Sequence, residues 1–191
     1  MTEHDPQTAR DTQWPRWEVF KQDAADKPHQ AVGSVHATDA QLALLAARNV
    51  FVRRPSAHSI WVAPASAILA KTAEQLAAEA NKYRPSGSGA KATYHLFRKT
   101  SHRRSMTFVD HAGTLEARSA EEALKLGAQA FAGEPALAWW VVADEHIHAS
   151  DQDPDTIASW FEPANDKTYR QQAYYASVGL RPRQRSKPGE S

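Results

Sequence analysis

The sequence TDAQLALLAARNVF (residues 38–51) recurs in diverged form as SAEEALKLGAQAF (residues 119–131). The spacing i, i+3, i+4, i+7, i+11 places its small and apolar residues on one face of an α-helix. Most of that face is small, which lets a helix lie close against a sheet. The sequence therefore predicts two similar helices. At an offset of 80 residues the matched pairs are Ala40/Ala120, Ala43/Ala123, Leu44/Leu124, Ala47/Gly127 and Phe51/Phe131.

Both segments begin with a helix-capping signal. Thr38 is followed three residues later by Gln41, and Ser119 is followed three residues later by Glu122. In such a capping box the hydroxyl accepts a hydrogen bond from a free backbone N–H of the first helical turn. We therefore expect Thr38 and Ser119 to be the N-caps of the two helices.

Runs typical of β-strands flank each predicted helix, so each half of the chain reads β-β-α-β. A helix on one face of a small antiparallel sheet is an α+β architecture. Two such units in tandem can cover each other's bare sheet faces, and the sequence predicts a pseudo-two-fold pair resembling a fused dimer. The strand-like runs are residues 17–20, 31–36 and 59–63 in the first half and 94–97, 105–109 and 138–143 in the second.

The remaining segments set the expected boundaries. Residues 71–83 should form a short helix, whereas residues 160–180 are aromatic-rich with weak periodicity and should form an extended C-terminal arm. The predicted organisation is a flexible N-terminal arm (1–13), a first unit (14–83), a linker (84–93), a second unit with the arm (94–180) and a flexible basic tail (181–191).

Composition excludes several classes of function. A hydrophobic content of 41% permits a real core, and 23 basic against 22 acidic residues argue against a generic nucleic-acid binder. The absence of cysteine excludes disulfides, thiolate nucleophiles and Cys-ligated metal centres. No apolar run approaches the roughly 18 residues of a membrane span, and the N-terminus lacks the apolar region of a signal peptide. We expect a cytoplasmic protein that does not bind membranes.

Catalytic and metal-binding motifs are weak. Glu145 and His148 form a single E-x-x-H, whereas carboxylate-bridged di-iron proteins use two such pairs on long helices with two further Glu. His146 and His148 also form an H-x-H, beside the equally polar Asp144. Nucleotide-binding and hydrolase signatures are missing, although a triad assembled from distant residues stays open. We expect no catalytic residue, cofactor or metal on this chain.

Aromatic and Arg residues instead occupy positions that look exposed. Such side chains are the usual anchors of protein interfaces, although packing between the two units is an open alternative. The candidate interaction residues are Trp14, Trp17, Arg53, Arg54, Trp61, Phe161, Tyr169 and Arg170.

Two blocks of this sequence resemble the PaaB family, the small non-catalytic components of phenylacetyl-CoA epoxidase complexes. The likeness covers about 85 to 90 residues, whereas family members are about half as long as this chain. The second half of the chain lacks the first block, and the first half lacks the second block. This is what we expect of a fused dimer in which each half kept only part of the family motif. The blocks are W-P-x-W-E-V-F at 14–20 with V-G-S-V-H-A at 32–37, R-R at 53–54 and S-I-W-V at 59–62, and F-E-P-A-x-D-K-x-Y-R at 161–170.

The resemblance implies a non-catalytic subunit that bridges a di-iron catalytic subunit and an inactive structural partner. The implied complex converts phenylacetyl-CoA to its 1,2-epoxide in aerobic phenylacetate degradation, with iron on the partner and no cofactor on this chain. Two rivals remain: an RNA-binding α+β module that uses an aromatic sheet face, and a small-molecule enzyme or binding protein with a pocket between the copies.

Overall fold

The computed structural model describes residues 14–52, 57–79, 90–101, 108–131, 133, 135–151 and 153–165. These residues form eight strands and four helices, an α+β arrangement as predicted. The first half contains β1 (Arg16–Gln22), β2 (Gln30–His36), α1 (Ala40–Phe51), β3 (Ser59–Pro64), β4 (Leu69–Thr72) and α2 (Ala73–Glu79). The second half contains β5 (Ala92–Lys99), β6 (Asp110–Ala117), α3 (Ala120–Ala130), β7 (Ala138–Ala143), β8 (His148–Ala149) and α4 (Pro154–Asn165).

All eight strands belong to one antiparallel sheet with the order β4-β7-β5-β6-β2-β1-β3-β8. The halves meet at β2 and β6, where Gln30 is in register with Asp110. The last strand of each half crosses over, because β4 pairs with β7 and β8 pairs with β3. Each half thus contributes a fourth strand to the other half, which the three-strand reading of the sequence did not predict.

The sheet folds over so that its halves face each other. Phe20 on β1 and Phe97 on β5 are three strand spacings apart in the sheet order, about 14 Å in a flat sheet. Their ring centroids are only 4.2 Å apart. The buried cluster between the two inner faces, which we call the seam, contains Phe20, Ala31, Ala63, Phe97, Val109 and Val142.

The helices cover the outer faces of the folded sheet. Ala43 and Ala47 of α1 lie in the core of the first half, and Ala123 and Leu124 of α3 lie in that of the second. Leu76 of α2 is partly buried and packs against the second-half core. The short helix expected within residues 71–83 is therefore present as α2, but it packs on the second half.

The structure corrects the predicted arm. Residues 160–165 are the end of helix α4, not extended chain, and Phe161 is buried in the core of the first half. Trp160 packs against the same core, and Arg48 of α1 donates from Nη1 to its carbonyl oxygen at 3.3 Å. The packing of this aromatic pair in the first-half core stabilises α4, because most of the stability of a helix this short comes from tertiary contacts. Residues 166–191 lie outside the described residues.

Two further predictions need correction. The second strand of the second half is β6. Of the predicted run 105–109, Phe108 and Val109 are not in a strand, and residues 105–107 lie outside the described residues. The N-cap of α1 is Asp39, one residue after Thr38, and its carboxylate accepts from the Leu42 N–H at 2.9 Å. Ser119 caps α3 as expected, with its hydroxyl accepting from the Glu122 N–H.

Both halves contain the same irregularity in their first hairpin. Gly33 and Gly113 have φ of 143° and 152°, a backbone conformation that favours glycine, and the register of each hairpin shifts beside them. A Cβ at Gly33 would lie 2.8 Å from Phe51 Cζ, and one at Gly113 would lie 3.7 Å from Phe131 Cζ. The ring at the end of each helix therefore packs over the glycine of its own hairpin.

Candidate functional site

The predicted interaction residues occupy different environments. Trp17 and Phe161 are buried in the core of the first half, and the Trp17 indole N–H donates to the Ala37 carbonyl at 3.1 Å. Trp61 is partly buried against the seam. Trp14 is 61% exposed, so its ring is available to a partner. Arg53, Arg54, Tyr169 and Arg170 lie outside the described residues.

Helix α1 carries an exposed apolar surface, which we call the α1 face. It consists of Leu42, Leu45 and Val50, which are 45%, 39% and 50% exposed. Ala43 and Ala47 of the same helix are buried against the sheet. With 3.6 residues per turn, Leu45 lies opposite them and Leu42 lies next to Leu45, whereas Val50 lies near the direction of Ala43 at the C-terminal end of the helix. The helix is therefore apolar on both its inner and outer sides, which is unusual for a helix that faces only water.

Helix α3 provides an internal comparison. At the offset of 80 that aligns the two helices, Leu42 corresponds to Glu122 and Leu45 to Lys125, while Val50 corresponds to Ala130. The second half thus carries charged or small residues at these three positions, although α3 exposes Leu126 (41%) at the position of Ala46. Since both helices pack on their sheets in the same way, the fold does not require large apolar residues at these three positions.

A second group of residues, the histidine cluster, lies at one end of the seam. It comprises His29, Trp61, His95, His111 and Asp144. The His29 ring stacks on Trp61 with centroids 3.5 Å apart, and the rings of His95 and His111 meet the same indole edge-on at 5.1 and 5.4 Å. His29 and Trp61 come from the first half and the other three residues from the second.

Hydrogen bonds link these side chains. His95 Nε2 lies 2.8 Å from Asp144 Oδ1, and His95 Nδ1 lies 3.2 Å from His111 Nε2. His29 Nε2 lies 3.2 Å from the Ser59 hydroxyl. The backbone N–H of His111 also donates to the His29 carbonyl at 2.8 Å, which ties the halves together beside the rings.

Burial keeps two of the rings neutral. It lowers the pKa of His29 to about 3, with added repulsion from His111, His95 and His58. It lowers the pKa of His111 to about 4, with added repulsion from His95, although a hydrogen bond to the Gly113 backbone acts in the opposite direction. At neutral pH, His29 and His111 are therefore uncharged hydrogen-bonding groups.

Of the four polar residues considered from sequence, Asp144 joins the histidine cluster and the other three do not converge on a site. The Glu145 and His146 side chains are largely exposed and lie 3.9 Å apart, whereas His148 meets the Trp17 ring edge-on at 5.8 Å. Within the described residues, no group of three or more His, Cys, Asp or Glu is arranged to hold a metal ion. No described helix is long and apolar enough to cross a membrane.

Sequence reasoning missed the histidine cluster because its members are far apart in the chain. One signal was available: the run G-T-L-E-A at 113–117 matches G-S-V-H-A at 33–37 at the same offset of 80. That match would have placed β6 correctly and put His111 beside β5, opposite Phe97.

Comparisons with known proteins agree with the resemblance. A sequence model of the family described as Phenylacetic acid degradation B (PaaB) matches residues 13–86 and 91–181. The B component of the 1,2-phenylacetyl-CoA epoxidase of Escherichia coli (strain K12) is 44% identical over 62 residues. That alignment covers 32% of this chain and 65% of the relative, slightly less than two thirds of its length.

No solved structure matches the chain. The family match nevertheless extends over most of the sequence, in two consecutive segments that correspond to its two halves. On this evidence the chain belongs to the phenylacetic acid degradation B (PaaB) family.

Proposed function

We propose that this chain is a non-catalytic structural subunit of a multicomponent phenylacetyl-CoA 1,2-epoxidase, acting in aerobic phenylacetate degradation. In this role it bridges the di-iron catalytic subunit and a structural partner subunit. Family membership and the naming of the E. coli relative as an epoxidase component support an assembly role. The observation that carries the proposal is the α1 face, an apolar surface that the fold does not need.

The α1 face is the docking site that we assign to the catalytic subunit. Full burial of a leucine side chain contributes roughly 1.5–3 kcal/mol, and about two fifths of Leu42 and of Leu45 remains to be buried. Covering both therefore contributes about 1.3–2.5 kcal/mol, or roughly ten- to seventyfold in affinity. The fully buried core of a specific interface is more apolar than the rest of a protein surface.

The two halves are proposed to be diverged copies of one unit, at 14–83 and 94–180, arranged as a pseudo-two-fold pair. The strand order supports this, because exchanging β1–β4 with β5–β8 reproduces the same order read from the other end. The glycine and phenylalanine pairs at Gly33/Phe51 and Gly113/Phe131 support it further. Under this proposal one chain replaces a dimer, and its first half presents the larger apolar helix surface.

The test is co-purification of the tagged full-length chain from its native host grown on phenylacetate, followed by mass spectrometry. Recovery of a di-iron oxygenase subunit and its structural partner is expected. A chain that brings down neither subunit would refute the proposed function.

The docking site is tested separately by the double variant Leu42→Glu/Leu45→Lys, which gives α1 the residues that α3 carries. It should fold normally, because both positions are partly exposed, and should bind the catalytic subunit at least tenfold more weakly. The matched control is the charge exchange Glu122→Lys/Lys125→Glu on α3, which should leave binding unchanged. Equal losses in both variants would refute the assignment to α1.

The structure weakens the RNA-binding rival. Stacking on bases needs exposed aromatic rings on the sheet. Phe20 and Phe97 are fully buried where the two inner faces meet, so they cannot reach a nucleic acid. The polar side chains between the halves, which the small-molecule rival would use, are hydrogen-bonded to one another. A cofactor-free chain in the cytoplasm remains a prediction of the proposed role.

A further inference from the structure

The histidine cluster spans the boundary between the two halves of the folded sheet. Its crossing contacts are the two edge-on approaches to Trp61 and the backbone hydrogen bond from His111 to His29. Near this boundary β2 and β6 share one registered pair, Gln30 with Asp110. The Gln30 amide donates to the Asp110 carboxylate at 2.7 Å. Two further backbone hydrogen bonds cross here, from the Ala31 N–H to the Val109 carbonyl and from the Phe108 N–H to the Ala31 carbonyl, and the side-chain contacts of the cluster add to them.

The fold does not need histidines at these positions. Phe97 pairs with His111 across the second hairpin, as Phe20 pairs with Ala31 across the first. By the same offset His29 corresponds to Val109, and both Ala31 and Val109 are buried in the seam. The other half thus fills the equivalent places with apolar side chains.

The hydrogen bonds limit how many protons the cluster can hold. With Asp144 ionised, His95 donates to it from Nε2. The contact between His95 Nδ1 and His111 Nε2 needs one donor and one acceptor, so it holds a single proton. If both rings become fully protonated, two N–H groups face each other and this bond is lost.

Little charge is available to compensate added protons. Asp144 and Asp110 keep their negative charge, but their hydrogen bonds are to His95 and Gln30 and not to His29 or His111. His29 faces the neutral Ser59 hydroxyl, and His58 is a further basic group close to it. Protons on His29 and His111 would therefore repel each other and His95 in a site with reduced access to water.

We propose that the histidine cluster is an acid-sensitive lock, which holds the two halves of the sheet together while His29 and His111 are neutral and loosens the seam when they take up protons. Its members act as pH-responsive structural groups and need no partner subunit. The lock is therefore independent of the proposed role in the epoxidase.

The direction of the pH dependence follows from linkage. In the unfolded chain a histidine has a pKa near 6.5, above the folded values of about 3 for His29 and about 4 for His111. Between the folded and unfolded pKa values the unfolded chain binds more protons than the folded chain. The stabilisation from these two histidines is therefore fully present above pH 6.5 and is lost as the pH falls below it. Each histidine can raise the unfolding equilibrium constant about tenfold per pH unit.

The experiment is urea unfolding of the full chain at pH 7.5, 6.5, 5.5 and 4.5, followed by tryptophan fluorescence. The unfolding constant of the wild type should rise up to about a hundredfold between pH 5.5 and 4.5. The variant His29→Val/His111→Ala, which adopts the residues of the other half, should show a much shallower rise. The exposed His36→Gln serves as the control and should behave as wild type.

Equal pH slopes for the wild type and the double variant would overturn the proposal. If the double variant does not fold at pH 7.5, the ring-proton NMR titration of the wild type decides. Two of the nine histidines should remain neutral in the folded protein at pH 5.5. Titration of every histidine between pH 6 and 7 in the folded state would overturn the proposal equally.

Discussion

Helix α3 approaches its strand more closely than an alanine would allow, and this can be tested by exchanging two side chains. A Cβ on Gly127 would overlap Leu96 Cδ2 and would lie 3.2 Å from Leu96 Cγ. In the first half the corresponding pair is Ala47 with Val19, both buried in one core. Leucine with glycine and valine with alanine contain the same number of side-chain carbons. The two halves therefore fill the same helix–strand contact in opposite ways. In the first half the helix residue is larger and the strand residue smaller, and in the second half the helix residue is smaller and the strand residue larger.

The magnitudes follow from this geometry. Gly127→Ala gains about 1 kcal/mol of helix propensity, but forcing a methyl group against a buried leucine costs up to about 3 kcal/mol. The net loss is about 2 kcal/mol. Leu96→Val removes one methylene and should cost about 1 kcal/mol. Independent effects would sum to about 3 kcal/mol, whereas the double variant recreates the packing of the first half and should lie within about 1 kcal/mol of wild type.

The assay is a double-mutant cycle by urea unfolding at pH 7.5, supported by thermal melting. For a chain of this size 1 kcal/mol corresponds to about 2–4 °C in Tm. A coupling energy of about 2–3 kcal/mol is expected between the two positions. Additive losses in the double variant would refute both the steric argument and the correspondence between the two halves.

Two further predictions concern the glycine bulges and the aromatic residues. Gly33→Ala and Gly113→Ala both impose backbone strain of about 1–3 kcal/mol, but only the first also drives a methyl group into Phe51, so urea unfolding should show the larger loss for Gly33→Ala. Phe161→Ala should cost about 3 kcal/mol of stability because its ring is buried, whereas Trp14→Ala should change stability by less than about 0.5 kcal/mol. Equal stabilities of these last two variants would show that Phe161 is not a core residue.

Local patterns predicted much of the secondary structure. Short-range sequence patterns specify the apolar face of α1 and α3 and the Trp-containing strands β3 and β7. These patterns involve only residues within a few positions of one another. The N-cap of α1 was misplaced by one residue because Thr38 and Asp39 are both good capping residues, and only backbone geometry distinguishes them. The strand β6 was missed because its periodicity is weak around Gly113.

Sequence patterns also could not separate buried aromatic residues from exposed ones among the candidate interaction residues. Trp17 and Phe161 look alike in sequence to Trp14, since large aromatic side chains suit both cores and interfaces. The burial of Phe161 depends on α4 packing beside α1, a contact between residues more than a hundred positions apart, as with Arg48 and Trp160. No local pattern specifies such a contact.

The sequence by itself determined the α+β class, the two repeated helices and the PaaB family, because these depend on short-range periodicity and on motifs read along the chain. Only the tertiary structure decided that β4 and β8 cross between the halves and that the sheet folds on itself. The histidine cluster depends on this tertiary arrangement. Its residues lie between positions 29 and 144, and they meet because burying Phe20 against Phe97 brings two distant strands face to face.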